Sequence, residues 1–565
     1  MTSLPPDCVH ESLEVGATPL VHHFLRRLNL RTLFDQHLPR LPGKRPALPS
    51  GLVRCVLITN LLLARRPLYA LSEWITRRVP EHLGLQPDEI DRFNDDRIGR
   101  ALDHLQRADR ASLLIALVKY VVVAFQIDLS EFHQDTTSVT MQGDYRGQAA
   151  VDDPDRPPRI TFGYNKDHRP DLKQLLYSVT ISSDGAVPLH CKIYDGNTTD
   201  DKVHIDTWWF LRQLTGHSGF LYVADSKLCT RENMQFIASK GGRFLTIMPR
   251  TRAEDKWFRE HVGCQVVDWQ EVHREADSRG KKLPEVVYHG VESPQQSTEG
   301  YRLFWYRSSQ KEEHERQERQ RRMNKAFVRL KEIQGRKGQG YQTASDARQA
   351  GESVLAEEEV TRWLRVRIEE KESEVFKQDG PGRPGPATTY IRVVTKHYHV
   401  HYDEDKERLA RDARCDGLFP LMTNDTGLTV QDALLKYKYQ PFVEKRHAQL
   451  KSGFNVVPMW LKDVGRVASM LWLFYVVELI AALVERQVRK EMVGQKHEAL
   501  PLYPEGRASE APTASVIFDV LEGHRRHRLL TADERELARF YDPVSPVAQT
   551  VLELLGIELG AYGLN

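Results

Sequence analysis

"GFLYVAD", residues 219–225, is an unbroken apolar run that ends on a carboxylate. A strand with one wet face alternates apolar and polar residues, whereas a continuous run marks a strand covered by helices on both faces, as in parallel sheets. Upstream, "DLSEFHQDTTSVTM" (128–141), "KQLLYSVTISSDG" (173–185) and "VPLHCKIYDGN" (187–197) read as three adjoining strands, with Asp-Gly turn signals at Asp184 and Asp195. Residues 199–215 read as a helix with Thr199 or Asp200 as its cap, and a second helix, opened by Thr230 and closed by Gly241, leads to "RFLTIMP" (243–249). The order βββαβαβ joins an antiparallel meander to βαβ crossovers and predicts a mixed-sheet α/β core. In open α/β sheets chemistry gathers beyond the carboxyl ends of parallel strands, which makes Asp225 a candidate site residue. The bland alternative is that Asp225 only starts a turn or caps a helix.

The 565 residues are too many for one core. With 40% apolar and 28% charged residues, and 80 Lys+Arg against 78 Asp+Glu, the composition is that of a soluble globular protein whose overall charge names no partner. Locally, Arg26, Arg27, Arg31, Arg40, Lys44, Arg45 and Arg54 stand against Asp35 alone, a segment suited to phosphate or to a solvated face. Six scattered cysteines without a C-x-x-C pair indicate neither a disulfide scaffold nor a thiolate zinc site, and fit a reducing cytoplasm. The polar, Pro-broken start carries no export signal. Of two strongly apolar runs, 111–125 is short and holds Lys119, and 467–484 holds Glu478 near its middle, so both are expected as buried core helices rather than membrane spans.

Residues 15–125 show helical periodicity, with Asn94 or Asp95 available to cap one helix. Between 250 and 415 the pattern is that of an insertion: a charged helix over 310–334 with Glu312/Arg316, Glu315/Arg319 and Glu318/Arg322 at i,i+4, a second helix across 344–376, a linker "DGPGRPGPA" (379–387), and a strand (390–403) that sets His397, His399 and His401 on one face. Three such imidazoles can face a metal, although a polar strand face is the default. Residues 514–542 read as helical, with a basic "GHRRHR".

Near the end, "YKYQPFVEKRHAQLKS" (437–452) spaces Tyr437, Gln440, Glu444 and Lys451 so that one continuous helix would carry them as a stripe roughly 60° wide. Pro441 opposes this, because a proline removes the bond to residue 437 and starts or kinks a helix there. Asp135 in the first strand, Asp225 after the fourth and Glu444 in this helix are distant in sequence but able to meet at one sheet edge.

These motifs together resemble the DDE transposases of bacterial insertion sequences, the branch with an RNase H-like core and a Tyr-x-x-Arg-x-x-x-Glu-six-residues-Lys signature. The matching elements run in order: "DTTS" at 135, "GYNKDHRPDLKQ" at 163–174, "GNTTD" at 196–200, "ADSK" at 224–227, "DGLFPLMTN" at 416–424, and the signature at 437–451, where Gln440 replaces the usual Arg. The resemblance covers residues 90 to 485. It implies that Asp135, Asp225 and Glu444 are the catalytic, metal-binding acids, taking two Mg2+ ions with Mn2+ as a substitute, and that Tyr437, Gln440 and Lys451, with Lys445 and Arg446, contact DNA. Crowded carboxylates call for divalent cations on independent grounds, and oxygen-only ligands select Mg2+ or Mn2+. Two such ions about 4 Å apart can drive in-line displacement at a phosphodiester without a protein nucleophile.

The expected organisation is a helical DNA-binding region at 1–125, an RNase H-like core at 126–250 and 416–490, an insertion at 251–415 and a helical C-terminal region at 491–565. The resemblance further implies a cytoplasmic bacterial enzyme, associated with the nucleoid through DNA, that binds terminal inverted repeats as a homodimer, cleaves them and joins 3' ends to target DNA. It also makes Trp257, Trp269, Trp305 and Trp363 of the insertion candidates for holding a flipped base. Two other readings stay open: a catalytically silent, domesticated DNA-binding protein, and an RNase H-like nuclease without strand transfer.

Overall fold

The computed structural model describes residues 8–39, 48–146, 148, 156–277, 283–334, 340–457, 459 and 461–564; Arg40, Lys44 and Arg45 of the basic segment lie outside them. Two compact units emerge, residues 1–246 with 435–565, and residues 247–434. The N-terminal helices thus belong to the same unit as the sheet and the late helices.

The first six strands in chain order are β1 (Val9–Glu14), β2 (Glu131–Met141), β3 (Lys173–Ser182), β4 (Pro188–Asp195), β5 (Leu221–Ala224) and β6 (Arg243–Ile247). The five from β2 to β6 lie in the order β4-β3-β2-β5-β6. The β2–β3 and β3–β4 pairs are antiparallel, and β5 runs parallel to both β2 and β6. This is the expected meander followed by crossovers, and β5 is buried along its whole length, as its apolar run requires. Thr230 caps the second crossover helix through the Asn233 amide (3.2 Å), and Gly241, at φ +72°, turns the chain out of it.

In the second unit β7 (Gln270–Glu275), β8 (Val286–Glu292), β9 (Arg302–Ser308) and β12 (Leu418–Thr423) make an antiparallel run, and β10 (Leu364–Gln378) pairs with β11 (Tyr390–Glu404) as a separate two-stranded ribbon. The charged helix forms as expected (Ser309–Gln334), but of the three i,i+4 pairs only Glu318–Arg322 closes. Arg319 is drawn instead into a bidentate pair with Asp416 at 2.6 and 2.7 Å. The next helix stops at Glu357, and "LRVRIEEKESEVF" continues as β10, whose charges alternate at period 2 as well as they fit a helix. The "DGPGRPGPA" segment is therefore the tip of a long hairpin rather than an interdomain linker.

The C-terminal region also departs from expectation. Basic "RRHRLL" is β13 (Arg525–Leu530), and β14 (Glu536–Tyr541) joins it; β1 pairs with β13 antiparallel, closing a three-stranded sheet between the two ends of the chain. Arg525, Arg526 and Arg528 pair with Ser12, Glu81 and Glu11, so part of this basic patch is committed within the fold.

The 467–484 run lies in a 31-residue helix, Val464–Gly494, long and apolar enough to cross a membrane by length and composition, yet its apolar stretch is enclosed by the unit. Glu478 at its centre is fully buried and accepts a hydrogen bond from the Tyr177 hydroxyl at 3.1 Å. Burial pushes its carboxyl up to about 8, with Arg446 opposing the shift. Because the folded-state value lies above the ordinary one, the proton on Glu478 stabilises the fold most at low pH; this contribution declines as pH rises and is lost above about 8. Glu478→Gln, which keeps the shape without the titration, should therefore gain stability over wild type at pH 9 and little at pH 5, as read from urea midpoints at the two pH values.

Candidate active site

The parallel register of β2 and β5 sets Gln134 opposite Ala224. The next residues along the two neighbouring strands are Asp135 and Asp225, so two carboxylates leave the sheet at one level, on backbones about 5 Å apart. Asp225 also opens a turn: its Oδ1 accepts from the Lys227 amide at 2.9 Å, and its carbonyl accepts from the Thr246 hydroxyl at 2.6 Å. The turn-forming role and the site role coexist in one residue.

Glu444 arrives from a later part of the chain by a break in the expected stripe. The preceding helix ends at Tyr437, short i+3 bonds carry the chain through 439 and 440, and Pro441 begins a new helix, Pro441–Ala448, where its missing N–H costs nothing. Lys451 falls in a π-helical turn, Gln449–Gly453. What aims the Glu444 helix is Gln440, which is buried rather than facing DNA. Its amide donates to the Gln134 carbonyl (2.7 Å) and its oxygen meets His133 Nδ1 (3.2 Å), while His133 Nε2 meets Glu131 (2.8 Å) and Lys436 pairs with Glu131. Gln440 is thus fixed beside the residue before Asp135, and Glu444 follows one helical turn later on the same face.

The acids share one field. Burial is the largest cause raising the carboxyls of Asp135, Asp225 and Glu444, and the charge of Asp135 raises the other two further. Tyr437, half-buried, is held above the ordinary phenol value by burial and then by the charges of Asp225, Glu444 and Asp135.

Three further residues belong here. Asp200 accepts from the Thr136 hydroxyl at 2.8 Å, and its charge adds to the upward shifts of Asp135 and Asp225. Lys166 Nζ stands 3.2 Å from Asp200 and 3.7 Å from Asp135 and donates to the Thr136 carbonyl (2.6 Å) and hydroxyl (2.8 Å). His447 is 6% exposed, lies 3.6 Å from Asp135, has neither ring nitrogen in a well-formed hydrogen bond, and is pushed down to about 3 chiefly by burial. Lys166 and Asp200 sit inside the "GYNKDHRPDLKQ" and "GNTTD" motifs, and their place in those motifs was a signal available in the sequence.

Among the described residues no three His, Cys, Asp or Glu side chains converge as a ready-made metal-ligand set. Two acids of the site, Asp135 and Asp200, instead flank the Lys166 ammonium. Their donors are hard oxygens, the chemistry suited to Mg2+ or Mn2+ rather than to a thiolate metal.

The basic residues expected to hold DNA divide. Lys445 is exposed, with Nζ 4.4 Å from the centre of the Phe442 ring. Lys451 is paired with Asp167 at 2.7 Å. Arg446 is buried and bonded to the Ala186 carbonyl (3.0 Å) and Glu485 (2.8 Å), a structural tie where a DNA contact was expected. Arg54 of the N-terminal segment is likewise interior, donating to Ser50 and Ala101 carbonyls. In the second unit Trp305 is fully buried against Phe258 (3.9 Å between ring centres) and has no face for a base; Trp363 donates to Asp412, and Trp257 and Trp269 are half-buried. Of the three histidines on β11, His401 pairs with Glu369 at 2.7 Å, and no metal cluster forms among them.

Residues 10–119 match a family described as a domain of unknown function, DUF4277. No curated protein matches the chain. Among solved structures, one described as a cryo-EM structure of a piggyBac transposase synaptic complex with hairpin DNA aligns at 7% identity over 96% of this chain and 80% of that one, with a TM-score of 0.35. At that score the superposition is too loose to carry an argument.

Removing the Gln440 amide tests how the third acid is positioned. Gln440→Ala leaves the Gln134 carbonyl and the His133 ring without these partners and should lower stability by about 1–3 kcal/mol in urea unfolding. Were Gln440 a surface DNA contact, the change would stay within about 0.5 kcal/mol.

Proposed function

We propose that the chain is a DNA transposase with an RNase H-like core, cleaving transposon ends and joining the 3' ends to target DNA. The observation that carries this reading is the parallel register that puts Asp135 of β2 level with Asp225 just beyond the carboxyl end of β5, with the charge of Asp135 also acting on Glu444 of a separate helix. The strand order β4-β3-β2-β5-β6 and the ordered set of sequence motifs support it.

On this reading Asp135, Asp225 and Glu444 hold two Mg2+ ions, which would activate water or a DNA 3'-hydroxyl and stabilise the leaving oxygen. The protein's own part is positional. The sheet fixes two carboxylates through backbone register, and the Gln440 tie fixes the third. Tyr437 offers a phenol that stays protonated at neutral pH and so can donate to a phosphate oxygen. Exposed Lys445 supplies positive charge at the same helix. The partners are then terminal inverted repeats and target DNA, with a homodimer pairing two ends in the bacterial cytoplasm.

The test is cleavage of a labelled duplex carrying the element's terminal repeat, with Mg2+ or Mn2+, by wild type, Asp225→Asn and Glu444→Gln. Wild type should nick at the repeat boundary, and each variant should lose at least a hundredfold in rate, since each removes a charged ligand of the reacting centre. Equal nicking by the variants would overturn the triad. Repeat binding without cleavage by any form would favour a silent DNA-binding protein, and cleavage without joining of 3' ends would favour a nuclease.

A further inference from the structure

Four carboxylates lie in one electrostatic neighbourhood, and one ammonium sits between two of them. Lys166 is tethered at three points that do not involve Asp135: Asp200 at 3.2 Å, and the carbonyl and hydroxyl of Thr136 at 2.6 and 2.8 Å. Its separation from Asp135 is longer, 3.7 Å. Its own backbone is anchored, because the Lys166 amide donates to Ser138 (3.1 Å), and the loop is braced by Asn165, whose oxygen accepts from the Asp167 amide (2.8 Å). A lysine on a flexible four-carbon stem, held at its root, can exchange these partners at its tip without moving the loop.

We propose that Lys166 is a built-in counter-cation for the acid cluster, and that Asp200 with Thr136 is the place to which its ammonium withdraws when divalent ions take Asp135. This rests on the metal-dependent reading of the site. Without Lys166 the approach of Asp135, Asp200, Asp225 and Glu444 would be a like-charge cluster, which is costly in a partly buried setting. With Lys166 fixed permanently on Asp135, the same charge would compete with the ions. Asp200 resolves the conflict by keeping the ammonium close while leaving Asp135 open to another cation. Lys166 and Asp200 are positioning residues on this account, since they act through Asp135.

The proposal requires opposite signs for two neighbouring substitutions. Mn2+ binding is measured by calorimetry on the full chain without DNA, for wild type, Lys166→Met, Asp200→Asn and the double variant, with Lys166→Gln as a second neutral form should the methionine impair folding. Lys166→Met should bind Mn2+ about tenfold more tightly and show a lower Tm without metal, together with a larger Mn2+-induced rise in Tm. Asp200→Asn should bind several-fold more weakly, because the ammonium then rests on Asp135. The double variant should match Lys166→Met, since no ammonium remains to be parked. Unchanged or weaker binding by both neutral Lys166 variants, in a wild type that does bind Mn2+, would overturn the counter-cation role alone. A double variant as weak as Asp200→Asn would overturn the parking role and make Asp200 a direct ligand. If neither wild type nor the neutral Lys166 variants bind Mn2+, the metal-dependent reading falls, and this inference with it.

Discussion

Like-charge repulsion among carboxylates is the constraint around which the first unit is built. Asp135, Asp225, Asp200 and Glu444 come from a strand, a strand end, the start of a 3-10 helix and a late helix, and burial together with neighbouring acids raises the carboxyls of Asp135, Asp225 and Glu444. Two devices hold them together. One is set by backbone pairing: parallel register makes Asp135 and Asp225 neighbours whenever β2 and β5 pair, and the apolar burial of β5 drives that pairing. The other is polar: the network from Gln134 through Gln440, His133, Glu131 and Lys436 ties the Glu444 helix to β2, while Lys166 supplies the compensating charge.

The same logic explains why the departure from the resemblance signature at position 440 does not empty that position of purpose. An arginine there would carry a charge and only donors, whereas the neutral glutamine has both an N–H2 group and an oxygen, and each meets a group of β2. Half-satisfied buried polar groups are costly, so a residue with matched donor and acceptor is well suited to an interior joint. Arg446 follows the same course, bonding two carbonyls of the β3–β4 turn region and Glu485 of the long helix. Lys445 stays exposed on the same helix, while Lys451 is engaged by Asp167.

Long apolar helices and charged runs show how far pattern alone reaches. The 467–484 stretch was legible as a helix, and its Glu478 as a sign of the interior rather than of lipid, because an unpaired carboxylate is expensive in either setting and here finds the Tyr177 hydroxyl. By contrast "LRVRIEEKESEVF" carries charges that fit a helix face and an exposed strand equally, so local pattern could not choose; pairing with β11 did. The C-terminal "RRHRLL" was misread for a related reason. Its partner β1 lies at the opposite end of the chain, and a strand whose pairing depends on a segment more than five hundred residues away leaves no local mark of it.

By itself the sequence determined the βββαβαβ core and the position of Asp225 at the end of a buried parallel strand, because apolar periodicity and a carboxylate closing an apolar run are local properties. Pro441 was also readable as a helix start, since its missing N–H acts on its own turn. Only the tertiary structure decided that Gln440 and Arg446 turn inward, that Trp305 is core, and that Lys166, Asp200 and His447 join the site. Those outcomes depend on which partner each polar group meets once water is excluded, and burial of a side chain is set by the packing of distant segments rather than by its neighbours in the chain.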